Sequence, residues 1–203
     1  MFVLDLFCGV KSLLQPCKDL GFEYFGIDIE SKFNPDIVAN INFLSIDQLP
    51  KNIDIVWASP PCEHFSVSSI GHHWNKDNTP KTQEAAGSLV LVKNTFNLIE
   101  QINPQYFFIE NPRGKLRKLD VMKKAPIRNT VTYCQYGDFR MKPTDIWTNN
   151  SSWNPKPICH NGDPCHVAAP RGSRTGTQGV MSYEEKSKIP YDLLLEIMQS
   201  CRT

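Results

Sequence analysis

No apolar run in the 203 residues approaches the roughly 20 that a membrane-crossing helix needs, so no bilayer contact is expected. The N-terminal MFVLDLF enters a strand-like pattern with neither a basic lead nor a small-residue cleavage site, and the expectation is a soluble protein of the cytoplasm. Internal repeats are missing as well, which argues against a solenoid or propeller. A second complete domain lacks room, because a chain of this length with ordinary apolar content buries one core. The seven cysteines (Cys8, Cys17, Cys62, Cys134, Cys159, Cys165 and Cys201) are odd in number and irregularly spaced. They do not resemble a secreted disulfide framework, and reduced thiols are expected.

Net charge is nearly absent too, at +1, but the balance is uneven along the chain. Residues 1–112 sum to −6, residues 113–174 to +8 and residues 175–203 to −1. Within RGKLRKLDVMKKAPIR, residues 113–128, Asp120 is the only acid among seven basic side chains. Such a block is either a solvated face or a surface that meets phosphates.

What is present is an alternation. FVLDLF leads to a helix-period segment near Ser12–Leu20 that Gly21 ends, then come YFGIDI and IDIVWAS, a helix through Glu84–Ile102, and QYFFIEN. Strand and helix by turns predict an α/β fold with a mostly parallel sheet and helices on both faces. Residues 129–149 predict two further strands around Tyr136–Lys142, and Tyr191–Ser200 a closing helix with Leu194, Ile197 and Cys201 on one face. The expected organisation is a core over 1–148, an irregular, substrate-contacting stretch over 149–180 and a helical segment over 181–203 that completes the core.

Ligands of open α/β sheets sit at the carboxyl ends of strands, and the chemical residues fall there: Asp5–Gly9, Asp28, Pro60–Cys62 and Glu110–Pro112. DLFCG is a strand running into a glycine turn and helix, and Asp28 ends the next strand where cofactor ribose hydroxyls are usually met. Cys62 follows Pro60 and Pro61, which fix the local backbone and present the thiol rigidly. A half-buried thiol serving as a small hydrophobe is the bland alternative. Glu110 ends an apolar run that would bury it and raise its pKa, the condition for donating a proton near neutrality.

DLFCG, GIDIE, SPPCEHFS and FIENPRG stand in the order and spacing of the DNA cytosine-5 methyltransferase motifs, and the chain resembles that family over most of residues 1–148. The resemblance implies a Rossmann-like S-adenosylmethionine-dependent methyltransferase fold acting on DNA. It implies that Cys62, presented by Pro61, adds to C6 of cytosine, and that Glu110, held by Asn111 and Pro112, protonates N3. Asp5, Leu6, Phe7, Cys8, Gly9, Ile29 and Pro60 would line the S-adenosylmethionine site, with Asp28 at the ribose and Asn40 at the adenine. Ser66 would belong to a loop, residues 64–82, that closes over a flipped base, with His72 and His73 on its surface. SKIPYDLLLEI is similar to the family's C-terminal helix over the cofactor pocket, and the small size suits a phage or mobile-element enzyme of a restriction-modification type.

Three departures stand out. Val10, Lys11 and Ser12 follow Gly9 where the family has paired glycines, which sets a long cation beside the cofactor's methionine end. The family's arginine-bearing motif becomes CQYGDFR, with Gln135 and Arg140 as substitutes. No segment is long enough for a full target-recognition domain. Arg140, Lys142, Arg171 and Arg174 with Trp147 and Trp153 remain for phosphate contacts and one stacking surface, so short or relaxed specificity follows, or a protein partner that supplies DNA contacts. RNA, single-stranded DNA or a free cytosine nucleotide are alternative substrates, and a silent nucleic-acid-binding protein is the alternative class. Cys159-His160 and Cys165-His166, with Cys134 upstream, invite a zinc reading, but their spacing is not that of a finger or knuckle. Free polar residues and no metal are expected there.

Overall fold

The apolar runs of the N-terminal half become parallel strands. The structure, a computed structural model, describes residues 1–168 and 181–202. Strands β1 (Phe2–Leu6), β2 (Glu23–Asp28), β3 (Ile37–Val38), β4 (Ile55–Ala58) and β5 (Tyr106–Pro112) run parallel. With β6 (Ile127–Thr132) and β7 (Pro143–Thr148) they form a seven-stranded sheet ordered β3-β2-β1-β4-β5-β7-β6, β7 antiparallel to both neighbours. β4 is buried at every position, as a continuously apolar strand covered on both faces must be.

Neighbouring residues of each strand feed opposite faces, because side chains alternate across a sheet. Leu4, Val56 and Ile109 pack with Val92 and Phe96 of helix α3 (Gln83–Ile102). Val3, Ile55 and Phe108 pack on the other face with Cys17 of α1 (Leu14–Asp19) and with the C-terminal helix Tyr191–Gln199. Thr82 starts α3 by accepting the Ala85 N–H at 3.3 Å, and Asn103 ends it in the left-handed region. Among the described residues two short helices complete the set, α2 (Ile70–His73) and α4 (Tyr183–Ser187), so the C-terminal helix is α5. Leu194, Ile197 and Cys201 are buried on one face of that segment, as the sequence pattern indicates.

The pair expected within residues 129–149 exists as β6 and β7, displaced to either side of Tyr136–Lys142. Tyr133–Tyr136 forms a 3-10 turn ended by Gly137 at φ +85°, which reverses the chain between them. Residues 151–168 carry no helix or strand, in keeping with their Asn, Pro, Gly and Ser content. Arg171 and Arg174 lie outside the described residues. The expected stacking surface is not there: Trp147 belongs to the α3-side core and Trp153 to the α5-side core, where its indole N–H donates to Glu196 at 3.0 Å. An indole with one satisfied N–H is stable inside a core, and both rings are buried away from any base.

Candidate active site

Parallel register brings the strand ends together. Leu6 lies beside both Ile27 and Ala58, and Ala58 beside Ile109. The turns after β1, β2, β4 and β5 therefore open into one cleft of about 880 Å3, within the range of small-molecule sites.

One end of the cleft is a backbone cradle. Phe7, Gly9 and Lys11 all take positive φ (65°, 46° and 54°), so the chain coils tightly after β1. A Cβ at Gly9 would meet nothing nearer than the Phe7 carbonyl oxygen at 4.0 Å, which leaves open space over the turn. Asp28 accepts the Gly9 N–H at 2.8 Å and the Glu30 N–H at 2.9 Å, one on each carboxylate oxygen. Each oxygen keeps a second acceptor site for a hydroxyl. Ile29 stands exposed beside it as an apolar platform. Asp5 is buried, hydrogen-bonded by the Tyr24 hydroxyl at 2.9 Å, and burial pushes its carboxyl up to about 7. Burial likewise raises the Cys8 thiol to about 12, which leaves it an inert lining group. An open turn, a two-hydroxyl acceptor and an apolar platform fit a nucleoside with a small charged tail.

The other end holds a thiol and a buried acid. Cys62 and Glu110 both line the cleft. Burial raises the Glu110 pKa, against the opposing charge of Lys142 and the Tyr133 hydroxyl, which donates to its Oε1 at 2.8 Å. Burial and then the Glu110 charge raise the Cys62 thiol, while Lys142 lowers it. Protonated acid and thiolate therefore favour each other. Asn111 donates to the Pro60 carbonyl at 2.9 Å, which ties the end of β5 to the Pro60–Cys62 turn.

Residues 64–82 leave Cys62 and fold over the rim, with Ser66 in the cleft lining and its hydroxyl 3.0 Å from that of Ser69. Phe65 and Trp74 are buried with ring centroids 5.7 Å apart, so the loop is anchored rather than a free surface strand. His72 is exposed, as expected, while His73 is half-buried against Thr82 at 2.8 Å. Lys115 N–H donates to the Phe65 carbonyl at 2.7 Å, and a Cβ at Gly114 would sit 2.3 Å from that oxygen. Only glycine permits this approach.

Four expected site residues stand elsewhere. Leu6 is wholly buried in the α3-side core, because it faces into the sheet while the residues after it turn out. Asn40 is outside the cleft lining, its side chain capping a 3-10 turn by accepting the Asn42 N–H at 3.0 Å. Arg140 is buried against Asp138 and the carbonyls of Glu185, Lys186 and Lys188, where it holds α4 to the core. Of the cations that line the cleft, the one that acts on both Cys62 and Glu110 is Lys142, two residues on, which sequence spacing does not distinguish from Arg140. Lys11 turns away from the cleft and donates to the Asn34 carbonyl. The basic block is divided too. Lys115 is buried and donates to Asn78 at 2.8 Å, Arg117 pairs with Asp145, Lys123 with Asp120 and Lys124 with Glu100. Arg113, Lys118 and Arg128 remain as exposed cations with no ion pair among the described residues.

This arrangement is the Rossmann-like fold of S-adenosylmethionine-dependent methyltransferases. The sequence profile of the family described as C-5 cytosine-specific DNA methylase matches residues 1–125, and the chain belongs to that family. A protein of Frog virus 3 (isolate Goorha), described as a "probable DNA (cytosine-5)-methyltransferase", is 27% identical over 221 residues, covering 99% of this chain and all of that one. The methyltransferase EhMeth of Entamoeba histolytica superposes with a TM-score of 0.55 at 16% identity, over 83% of this chain and 58% of that one. A candidate DNA modification methyltransferase encoded within a prophage, from E. coli, gives 0.53 at 16% identity, over 78% and 52%. The chain thus spans the whole of its viral relative and little more than half of either solved structure. Among the described residues no helix is long and apolar enough to cross a membrane.

Proposed function

We propose that the chain methylates C5 of cytosine in DNA through a transient covalent bond between Cys62 and C6, with S-adenosylmethionine as cofactor. The observation that carries this reading is the convergence of Cys62 and Glu110 in the same cleft as the open turn at Phe7–Gly9. When bound, the cofactor supplies an electrophilic methyl group. Asp28 would hold its ribose hydroxyls, Ile29 its base and the turn after β1 its amino-acid end.

The protein's own part is to make a poor nucleophile of a pyrimidine react. The Cys62 thiolate donates its electron pair to C6 and forms the S–C bond. The ring π electrons shift toward N3, where Glu110 delivers its proton, so that C5 becomes electron-rich without a ring anion; once C5 carries the methyl group, loss of its proton expels the Cys62 thiolate and restores the ring. Lys142 supports the thiolate, and Tyr133 and Ser59 orient the acid. Closure of residues 64–82 would exclude water from the activated ring. The base must leave its stack to reach a cleft this recessed. Residues 1–148 and 181–202 then act as one catalytic unit, 149–168 flanks it, and the viral relative suits a mobile-element setting.

The test is a denaturing gel of the protein with DNA that contains 5-fluorocytosine, with S-adenosylmethionine present and Cys62→Ser as control. Fluorine at C5 blocks release, so a shifted band absent from the variant is expected. No band on duplex or single-stranded DNA, with methylation of RNA or free cytidine nucleotide instead, overturns the DNA assignment.

A further inference from the structure

The irregular segment after β7 folds back on the turn after β6 and brings together four groups that the proposed reaction does not use. Cys134 sits in the Tyr133–Tyr136 turn, and Cys159, Cys165 and His166 come from the returning chain. Their ligand atoms all lie within 4.8 Å of one another. Cys134 Sγ is 3.7 Å from Cys165 Sγ, and His166 Nδ1 is 3.4 Å from Cys159 Sγ and 3.5 Å from Cys165 Sγ. A tetrahedral zinc with Zn–S of about 2.3 Å and Zn–N of about 2.0–2.1 Å sets sulfurs about 3.8 Å apart and sulfur from nitrogen about 3.5 Å. These three separations match the edges of that tetrahedron.

Cys159 and Cys165 are joined as a disulfide, with Cα atoms 7.0 Å apart. That span exceeds the usual range of about 4.4–6.8 Å. A disulfide also gives no reason for Cys134 and His166 to face the same point. The backbone around the cluster is fixed: Cys159 N–H donates to Thr132 Oγ1 at 2.8 Å and Val167 N–H to the Phe139 carbonyl at 2.9 Å. Cys134 and Cys159 are buried and the other two half-buried, so the centre is enclosed.

We propose that in the reduced chain Cys134, Cys159 and Cys165 as thiolates and His166 through Nδ1 bind one zinc ion with no open position. Two equivalents of a small thiol convert the disulfide to two cysteine thiols and are themselves oxidised to one disulfide. Zinc then displaces three protons from the thiols. Four protein ligands make the site structural rather than catalytic. Bound there, the ion fastens residues 159–167, which lack helix and strand, to the turn whose Tyr133 hydroxyl holds Glu110.

The full chain, purified under reducing conditions without chelator, should contain one zinc per molecule by plasma mass spectrometry. The content should fall to near zero in Cys134→Ser and Cys165→Ser and stay at one in Cys17→Ala. Should the ligand variants fail to fold, cobalt added to the metal-stripped wild type decides, since a tetrahedral thiolate site gives intense visible bands and sulfur-to-cobalt charge transfer. Iodoacetamide mapping should show all three thiols protected until a chelator is added. Metal-free protein with no cobalt bands, a Cys159–Cys165 disulfide that survives excess dithiothreitol, or zinc retained in both ligand variants overturns the proposal.

Discussion

Asp5 and Glu110, buried at strand ends within the acidic residues 1–112, have no ion pair among the described residues, whereas Asp138 and Asp145 in the basic stretch are each held by an arginine. The consequences are opposite. Burial raises Asp5 and Glu110, while Asp138, although burial pushes it up, is held below its ordinary value by Arg140. Unpaired buried acids cost stability and persist where chemistry requires them; paired ones hold structure. A high density of basic residues therefore does not by itself mark a polyanion surface, since several cations after residue 113 have partners inside the fold.

The largest way to break this comparison is Glu110→Gln. It keeps the shape and removes the proton, and single-turnover methyl transfer should fall by about 10²–10⁴; a near wild-type rate would make Glu110 a structural acid like Asp145. Arg117→Met tests the other side. It strands the buried Asp145 and should lower unfolding free energy by about 3 kcal/mol in a denaturant titration, with the rate per folded molecule unchanged. A lost rate with intact stability would put Arg117 in the reaction.

Much of the cleft was legible because parallel strands align their carboxyl ends: Phe7, Gly9, Asp28, Cys62 and Glu110 each follow an apolar run and all line it. Leu6 was not, since one residue of strand phase decides between core and cleft. Trp147 and Trp153 failed for the opposite reason. In an extended or irregular segment, composition does not say which way an aromatic ring points. The convergence of Cys134 with Cys159 and Cys165 depends on a chain return across β7 that no local spacing encodes.

Lys142→Met sharpens the comparison from within the site. Lys142 lowers both Cys62 and Glu110, so its removal raises both. The acid limb, set by thiolate formation, and the alkaline limb, set by loss of the Glu110 proton, should both move to higher pH. An unmoved profile of kcat/KM against pH would remove Lys142 from the reacting pair. The smallest effect belongs to the exposed cations: Lys118→Ala or Arg128→Ala should reduce the salt slope of DNA binding by about 1 if that side chain meets a phosphate, and Arg117→Met should not.

The contact between Gly114 and the Phe65 carbonyl, with the Asn111 bond to Pro60, has a mechanical consequence. The two loops that carry Cys62 and Glu110 are cross-braced at two backbone carbonyls, which fixes one loop against the other. The exposed tip of the loop, between the anchors at Phe65 and Trp74, lies outside that brace. It can swing, lengthen or shorten while the spacing of Cys62 and Glu110 stays constant, so the chemistry and the grip on the nucleic acid can change independently.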